Sequence, residues 1–295
     1  MLIILITLCT VVVPGVAAGI FAYRWPRAAL TAPKISVQKV ESETRRHPRL
    51  AAFTQSRLDP GSATGLLLSA ALLVFVVGTA LVAIVLVMIH TNTGFARLDH
   101  SASLFGAHHA TSLSTSFLRV YTQFGGALVI VPLAVIVAIA ETIRQRTVTV
   151  VAFLTLVVGG QFLVANIIKA IVDRARPNFD QLTGFSGSSF PSGHAVASAA
   201  CLAAFALVIG RRRSLKVRAI LAGLAVGLAT GIACCRVMLG VHWLTDVLGG
   251  LALGWAWFAL CSMAFGGYQL RFGAPAKTAE ETVTSRSPQR QSGAQ

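Results

Sequence analysis

Long apolar runs alternate with short polar segments along the whole chain. The first run, Leu2–Tyr23, is long enough to cross a bilayer and is followed by Arg24 and Arg27. Six further runs are Thr64–His90, Phe124–Thr142, Val148–Ile168, Ala195–Ile209, Val217–Cys235 and Val247–Phe265. About 20 consecutive apolar residues suffice for a membrane-spanning helix. The pattern predicts an all-α, polytopic membrane helix bundle with seven spans.

Small residues recur at four-residue spacing in two of these runs. Gly223, Gly227 and Gly231 do so in the sixth run, and Gly250 and Gly254 in the seventh. Small residues at this spacing let membrane helices approach closely. We expect these faces to pack inside the bundle. Homodimerisation through them is the alternative, and the oligomeric state stays open.

The composition agrees with a membrane protein and limits what the positive charge means. Of 295 residues, 55% are hydrophobic and only 12% are charged. The formal net charge of +15 is divided among short segments between apolar runs, which the positive-inside rule explains without a bound partner. No basic helix with interleaved aromatic residues supports nucleic-acid binding. The sequence therefore predicts no nucleic-acid partner.

The polar segments divide the chain into four parts. Residues 1–23 form the N-terminal transmembrane helix, which has no basic segment before it and which we expect to stay uncleaved; cleavage as a signal peptide is the alternative. Residues 24–63 are basic and contain several prolines, as in a cytoplasmic linker. Residues 64–266 form a six-helix domain, and residues 267–295 lack apolar periodicity, which predicts a disordered cytoplasmic tail.

The cations between the apolar runs set the expected orientation. Besides the linker, they are Arg144, Arg146, Arg211, Arg212, Arg213, Lys216 and Arg218. These loops share one side of the membrane, which should be cytoplasmic. The opposite side receives Thr91–Gln123, in which Leu98–Tyr121 is expected to form a helix at the membrane surface or a cap over a site.

Three polar islands are expected on that extracytoplasmic side, each at the end of an apolar run. They are Lys169–Pro177, Pro191–His194 and Arg236–Asp246. Charge at the edge of the hydrocarbon is costly and indicates a functional site. Topology alone therefore brings together chemistry that is far apart in sequence.

The first island supplies cations. Lys169 and Arg176 are seven residues apart, so they could share a helical face, and Pro177 predicts a helix end at Arg176. Arg offers paired donors to phosphate and Lys adds a point charge. The alternative is a pair of cations that reach from a helix end to the membrane surface.

The second and third islands supply backbone donors and imidazoles. Ser192 is a favoured helix N-cap, Gly193 permits close approach of a ligand, and exposed N–H groups there bind anions. His194 would point into the same space. His242 and Asp246 are four residues apart, on one helical face, where the carboxylate would fix the imidazole tautomer. A helix cap and a structural His–Asp bond are the alternatives.

A metal site is not predicted. His108 and His109 are adjacent, so their side chains would point away from each other on a helix. The five cysteines all lie in apolar runs and lack a metal-type spacing; they are Cys9, Cys201, Cys234, Cys235 and Cys261. They are expected to be small buried apolar groups.

At the three islands the chain resembles the type 2 phosphatidic acid phosphatase superfamily, whose membrane branch comprises lipid phosphate phosphatases. The family pattern is KxxxxxxRP, then PSGH, then SRxxxxxHxxxD. Lys169–Pro177 and Pro191–His194 match in full. Arg236, His242 and Asp246 match as well, and Cys235 stands where the family usually has Ser.

The resemblance implies a role for each matched residue. His242 would be the nucleophile that forms a phosphohistidine, and Asp246 would orient it. His194 would protonate the leaving alkoxide and then activate water. The phosphate would be held by Lys169, Arg176, Ser192, Gly193 and Arg236. No cofactor is implied, and the sequence has no carboxylate cluster for magnesium.

The expected function is hydrolysis of a lipid phosphate in the membrane. Candidate substrates are phosphatidic acid, phosphatidylglycerophosphate and undecaprenyl mono- or diphosphate, and the motifs do not choose between them. Helices rich in Ala, Gly and Arg suggest a bacterial cytoplasmic membrane. The alternatives are a phosphotransferase of the same fold and an anionic-lipid transporter. A soluble haloperoxidase of this fold disagrees with the apolar content.

Overall fold

The described chain is a bundle of helices in a computed structural model that covers residues 1–31, 63–145, 148–178, 181–184, 187–211 and 213–272. The α-helices are α1 (Leu2–Thr31), α2 (Ala63–Thr91), α3 (Asp99–His108), α4 (Ser112–Thr122), α5 (Ala127–Gln145), α6 (Thr149–Val172), α7 (Gly193–Gly210), α8 (Leu215–Met238) and α9 (Leu244–Phe272). Seven of them, α1, α2 and α5 to α9, are long and apolar enough to cross a membrane. The predicted all-α membrane bundle is confirmed.

Two helices continue past the predicted ends of their spans. Helix α1 runs to Thr31, into the predicted linker, and α9 runs to Phe272, into the predicted tail. A span ends where charge begins, but backbone hydrogen bonds can carry the helix further into the polar layer. Residues 32–62 and 273–295, which hold the remainder of the linker and tail, lie outside the described residues.

The centre of the bundle is formed by α7, α8 and α9. In the spanning part of α7, 61% of residues are buried, against 11% in α1 and in α2. Helix α7 contacts α5, α6, α8 and α9, whereas α1 packs mainly on α8 and α2 mainly on α9. The peripheral helices therefore enclose the central three, and most of their surface is left to lipid.

Glycines allow α1 and α8 to pack at very short range. A methyl group added at Gly227 would lie 2.5 Å from the carbonyl oxygen of Val11, and one at Gly223 would lie 2.6 Å from that of Gly15. The Thr230 hydroxyl donates to the carbonyl of Thr10 across the same contact. The expectation that this small-residue face packs inside the bundle is confirmed. We call this contact the α1–α8 seam.

The segment Leu98–Tyr121, expected as a surface helix or as a cap over a site, is broken into two helices, α3 and α4. Thr111 caps α4: its hydroxyl accepts the N–H of Ser114, and the Ser114 hydroxyl accepts the N–H of Thr111. This reciprocal pair starts a new helix. Both helices lie against the last turns of α8, where Ser103 of α3 contacts the carbonyl of His242. They therefore cover one end of the bundle.

The helix ends that the cation-rich loops follow meet at the other end of the bundle. Arg144 pairs with Glu141 at 2.7 Å and donates to the carbonyl of Arg211 at 3.3 Å. This contact joins the last turn of α5 to the residue that follows α7. Arg146 and Arg212 lie outside the described residues.

Candidate active site

The three polar islands meet at the end of the bundle that α3 and α4 cover. Lys169 comes from α6, His194 from the start of α7, Arg236 from the end of α8, and Asp246 from the start of α9. The backbone N–H of Ser192 donates to the carbonyl of Asp246, which joins the second island to the third. Arg176 contacts both the Gly187–Ser188 segment and His242.

The first island leaves its helix earlier than predicted. Helix α6 ends at Val172, and Asp173 adopts a left-handed conformation (φ 40°) while its N–H bonds to the carbonyl of Lys169. Only Lys169 is helical, so the predicted shared helical face with Arg176 is wrong. The turn instead carries Arg176 across the site, where it reaches the carbonyls of Gly187 and Val241.

The second island begins α7 but does not cap it with a side chain. Ser192 occupies the N-cap position, yet its hydroxyl accepts no bond from the helix, contrary to the cap predicted for it. That hydroxyl is fully buried and has no hydrogen-bond partner among the described residues. In the part of the chain that the structure describes, a methyl group at Gly193 would meet no atom within 4 Å. The start of α7 therefore faces a space that the described residues leave open.

The third island is a turn followed by a helix start. Gly240 has a φ of 70°, which glycine adopts without strain, and the turn places His242 two residues before α9 begins. His242 and Asp246 therefore do not share a helical face, and that prediction is wrong. They approach because Asp246 folds back on the turn, where its Oδ2 accepts the N–H of Trp243 at 2.9 Å. Nδ1 of His242 lies 3.6 Å from the same oxygen.

His242 is held as a neutral imidazole. Its side chain is 2% exposed, and this burial lowers its pKa to about 4. Asp246 acts in the opposite direction, whereas Arg176 and Arg236 lower the pKa further. Nη1 of Arg176 lies 3.2 Å from Nε2 of His242, the nitrogen that faces away from Asp246. A neutral ring with an unprotonated Nε2 can act as a nucleophile once Arg176 no longer engages that nitrogen.

Two buried polar atoms beside His242 have no protein partner. They are the hydroxyl of Ser192 and Nε of Arg236, whose residue is 5% exposed. A buried donor without a partner costs about 1–3 kcal/mol, more if charged. Five other buried side-chain atoms in the described residues also lack a partner, so the position of these two atoms among the cations of the three islands is what points to a ligand. Nε of Arg236 can only donate and the Ser192 hydroxyl can donate, so together they fit an anion.

His194 stands at the edge of the same space. Arg236, His242, Arg176 and Lys169 all lie close enough to interact electrostatically with it. On its other side lies the 3₁₀ turn Gln123–Gly125, which the sequence analysis did not connect with the site. A methyl group at Gly126 would lie 3.4 Å from both Nε2 of His194 and the side-chain oxygen of Gln123.

A polar cavity of about 550 Å³ borders the first island. Its lining residues are Asp173, Arg174, Ala175, Arg176, Pro177, Asn178, Gln181, Gly187 and Ser188. Nζ of Lys169 donates to the carbonyl of Ser188, one of these lining residues, at 2.7 Å.

No group of three or more His, Cys, Asp or Glu side chains placed to hold a metal occurs in the described ranges. His109 instead contacts the carbonyl of Phe105 through Nδ1.

Comparison with known proteins identifies the family. A model of the PAP2 superfamily matches residues 149–268. Phosphatidylglycerophosphatase B of Bacillus subtilis is 34% identical over 144 residues, which are 47% of this chain and 69% of that protein. The chain belongs to the PAP2 superfamily.

Two other PAP2 comparisons extend this result. Lipid A 1-phosphatase of Rhizobium johnstonii is 40% identical over 118 residues, which cover 37% of this chain and 43% of that protein. The crystal structure of a transmembrane PAP2-type phosphatidylglycerolphosphate phosphatase from Bacillus subtilis superposes with a TM-score of 0.60 at 27% identity. It covers 68% of this chain and 98% of the other. The fold is therefore that of a membrane PAP2 protein.

The PAP2 match contains all eight site residues chosen from the sequence, but it excludes α1 to α5. Sequence reasoning missed the groups that hold Asp246 in place. Arg174 donates to Oδ1 of Asp246 at 2.6 Å, and the hydroxyl of Ser189 donates to Oδ2. Arg174 also pairs with Asp99 of α3 at 2.7 Å. Arg174 lies inside the first island and Ser189 lies beside the second, so their positions could have indicated a role in the site. Nothing in the sequence connects Asp99 to the islands.

Proposed function

We propose that the protein is an integral-membrane lipid phosphatase that hydrolyses a phosphomonoester or diphosphate of a lipid through a phosphohistidine on His242. The family supports the phosphatase class, because the PAP2 relatives compared above are named as phosphatases of lipids. The observation that carries the proposal for this chain is the pair of unpartnered buried donors, Ser192 and Arg236, beside a neutral imidazole. Donors for an anion next to a nucleophile are what phosphoryl transfer requires.

In the first step, Nε2 of His242 attacks the phosphorus and the bond from phosphorus to the lipid oxygen breaks. His194 gives a proton to the leaving alkoxide, so the lipid departs as an alcohol. Asp246 stabilises the positive charge that develops on the ring of His242. Its carboxylate, 3.6 Å from Nδ1, is close enough for this in a buried site.

In the second step, water hydrolyses the phosphohistidine. His194, now neutral, takes a proton from the water as its oxygen attacks phosphorus, and the bond from phosphorus to Nε2 breaks. Inorganic phosphate leaves and His242 returns to its neutral form. His194 thus acts first as an acid and then as a base, which restores both imidazoles at the end of the cycle.

The phosphate oxygens are held by donors from all three islands. Arg236, Ser192 and the N–H of Gly193 approach from one side, and Lys169 and Arg176 from the other. Arg176 now donates towards Nε2 of His242, and an arriving phosphate gives its guanidinium a charged acceptor instead. Binding of the substrate therefore releases the lone pair that attacks. Because protein cations offset the charge, the reaction is proposed to need no metal ion.

We place the site on the extracytoplasmic side of a bacterial cytoplasmic membrane. The support is the contact between Arg144 at the end of α5 and Arg211 after α7, which places the starts of the two cationic loops at the opposite end of the bundle. Loops rich in Lys and Arg stay in the cytoplasm. The substrate keeps its tail in the bilayer and presents its phosphate at the membrane surface.

The proposed substrates are phosphatidic acid, phosphatidylglycerophosphate and undecaprenyl mono- or diphosphate. The names of the two curated relatives favour phosphate groups carried on glycerol or on the sugar of lipid A. A transporter is less well supported, because Asn166 of α6 is exposed on the bundle surface and donates to its own helix at Phe162. It does not line a path through the bundle.

The decisive assay is release of inorganic phosphate from a panel of these lipids in detergent with EDTA present. Wild-type protein should release phosphate from at least one lipid. His242→Ala should release it at least ~10³-fold more slowly, because it removes the nucleophile. Transfer of the phosphate to an added alcohol instead of water would identify a phosphotransferase.

The matched control is His108→Ala, which removes an exposed imidazole at the end of α3. This variant should keep wild-type activity. If His242→Ala and His108→Ala release phosphate equally well, the nucleophile is assigned incorrectly. If EDTA abolishes release and added Mg²⁺ restores it, the reaction depends on a metal.

A further inference from the structure

Arg174 forms a bridge between two buried carboxylates. Its Nη2 lies 2.7 Å from Oδ2 of Asp99, and its Nη1 lies 2.6 Å from Oδ1 of Asp246. Asp99 is 4% exposed and Asp246 is fully buried. One guanidinium thus offsets two negative charges that have little access to water. It also joins α3 at the membrane surface to the start of α9.

Asp99 fixes the residue next to Asp246. Its Oδ1 accepts the backbone N–H of Thr245 at 2.9 Å, and its Oδ2 accepts the Thr245 hydroxyl at 2.6 Å. The same hydroxyl accepts a bond from Arg174 at 2.7 Å. These three groups therefore form a closed ring of hydrogen bonds. Asp99 acts as a cap for the first turn of α9, supplied by a distant helix.

The two oxygens of Asp246 are used differently. Oδ1 is bound by Arg174, whereas Oδ2 accepts from Ser189 and from the N–H of Trp243 and lies nearest to Nδ1 of His242. Arg174 thus engages the oxygen that points away from the imidazole. Rotation of the carboxylate would break the bond to Arg174 and those to Oδ2 together, so its orientation is fixed.

We propose that Asp99 and Arg174 are positioning residues for His242, which act by orienting the carboxylate of Asp246 and by offsetting its charge. The proposal rests on the function proposed above, in which His242 is the nucleophile. An unbalanced carboxylate beside the imidazole would favour the imidazolium, which cannot attack phosphorus. Arg174 opposes this, and Asp99 holds Arg174 in place.

Charged groups face His242 from every element around it. Asp246 of α9, Arg176 from the segment after α6, Arg236 of α8 and His194 of α7 act on His242 directly. Lys169 of α6 and Arg174 act on Asp246, and Asp99 of α3 lies behind Arg174. Positive charges around His242 therefore outnumber negative ones. Loss of Arg174 makes the net charge near His242 more negative, and loss of Asp99 makes it more positive. The two losses should shift the titration of His242 in opposite directions.

The test is a titration of His242 by NMR of protein labelled at histidine Cε1, in which its signal is assigned by its absence from His242→Gln. In Arg174→Gln the titration midpoint should rise by about one pH unit or more, because Asp246 loses its cation. In Asp99→Asn the midpoint should fall, and Asn can still accept the N–H of Thr245. The double variant should lie between the two single variants.

The second measurement is the steady-state kinetics of phosphate release. Both single variants should lower kcat about tenfold or more with little change in KM, since neither side chain is proposed to touch phosphate. Arg174→Lys keeps the charge and should restore the wild-type midpoint while recovering only part of kcat. If Arg174→Gln does not yield folded protein, Asp99→Asn decides the question, because a fall in its midpoint supports the charge effect and an unchanged midpoint would leave the ion pair a structural contact only.

The outcomes that overturn this proposal differ from those that overturn the function. Lower activity with an unchanged midpoint in Arg174→Gln would mean that the ion pair only stabilises the fold. Shifts of the same sign in Arg174→Gln and Asp99→Asn would exclude a charge effect. By contrast, wild-type phosphate release by His242→Ala would overturn the proposed function, whatever the titrations show.

Discussion

The glycines of the α1–α8 seam and the glycine that begins α7 have opposite surroundings. A methyl group at Gly227 would lie 2.5 Å from the backbone of α1, whereas one at Gly193 would meet no atom within 4 Å. The first glycine is required by the protein's own packing. The second is next to space that the described residues leave empty, at the end of the same set of helices. A glycine therefore serves two different purposes here, close packing at the seam and room for a ligand at the site.

The polar atoms of the two regions differ in the same way. At the seam the hydroxyl of Thr230 is satisfied by the carbonyl of Thr10. At the site the hydroxyl of Ser192 and Nε of Arg236 are buried without partners. The seam is complete as folded, while the site carries the cost of unpaired donors that an anion would satisfy. Stability and function should therefore separate when each region is changed.

The largest effect is expected at Arg236. Arg236→Met keeps an unbranched apolar side chain but removes a buried charge with an unpaired Nε. Phosphate release should fall by ~10²–10³-fold, as for the loss of one donor to a transition-state oxyanion. The thermal unfolding temperature should stay or rise, because an unpaired buried charge is costly.

Arg97→Met serves as the control for this variant, since Arg97 is exposed and bonds only to the nearby carbonyl of Asn92. It should leave both activity and unfolding temperature near wild type. A large loss of stability in Arg236→Met would contradict the separation between the two regions.

A smaller effect is expected from a matched pair of alanine substitutions. Gly193→Ala places a methyl group where phosphate is proposed to bind, so it should lower activity about tenfold or more at an unchanged unfolding temperature. Gly227→Ala overpacks the seam at a cost of about 1–3 kcal/mol. It should lower the unfolding temperature and leave kcat per folded molecule near wild type.

Both measurements are made on the same two purified proteins, by thermal unfolding in detergent and by phosphate release. The comparison fails if Gly193→Ala unfolds earlier than Gly227→Ala. It also fails if Gly227→Ala loses activity while still fully folded, since that would make the seam part of the site.

The smallest effect concerns pH. The folded-state pKa of His242 is lowered to about 4, below the value of about 6.5 for a free histidine. The unfolded chain therefore binds more protons between these values, and the contribution of His242 to stability is present above pH 6.5 and lost as pH falls towards 4. Wild-type protein should lose thermal stability over this range more steeply than His242→Gln. Equal slopes would show that His242 is not held neutral by the fold.

Much of the bundle could be predicted from hydropathy. All seven spans were found, because the cost of placing charge in hydrocarbon restricts each one to a long apolar run. The packing of Gly223 and Gly227 followed from their spacing. The break between α3 and α4 was missed, although Thr111 and Ser114 have the spacing of a reciprocal cap. That sequence signal is weak, because Ser114 occupies the position that usually carries Glu or Gln in a reciprocal cap.

The gathering of the three islands at one end of the bundle could be predicted from topology, but their local geometry could not. The predicted shared helical faces assumed that the helix continues across Asp173 and Gly240. At both residues the backbone instead turns with a positive φ. As a result, Arg176 and His242 reach the site from turns and not from helices. The pairing of Asp99 with Arg174 depends on how α3 lies over the bundle, and no local sequence pattern encodes a contact between such distant residues. Tertiary packing alone creates it.

The most direct test of the central claim is detection of phosphohistidine at His242. His194→Ala, given an aryl phosphate whose leaving group needs no proton, should be phosphorylated but should hydrolyse the intermediate slowly. One equivalent of the aryl alcohol should appear in a burst. Mass spectrometry after an alkaline quench should then place an acid-labile phosphate on the peptide that contains His242. A burst with phosphate on any other residue, or the same burst from His194→Ala combined with His242→Ala, would contradict the account.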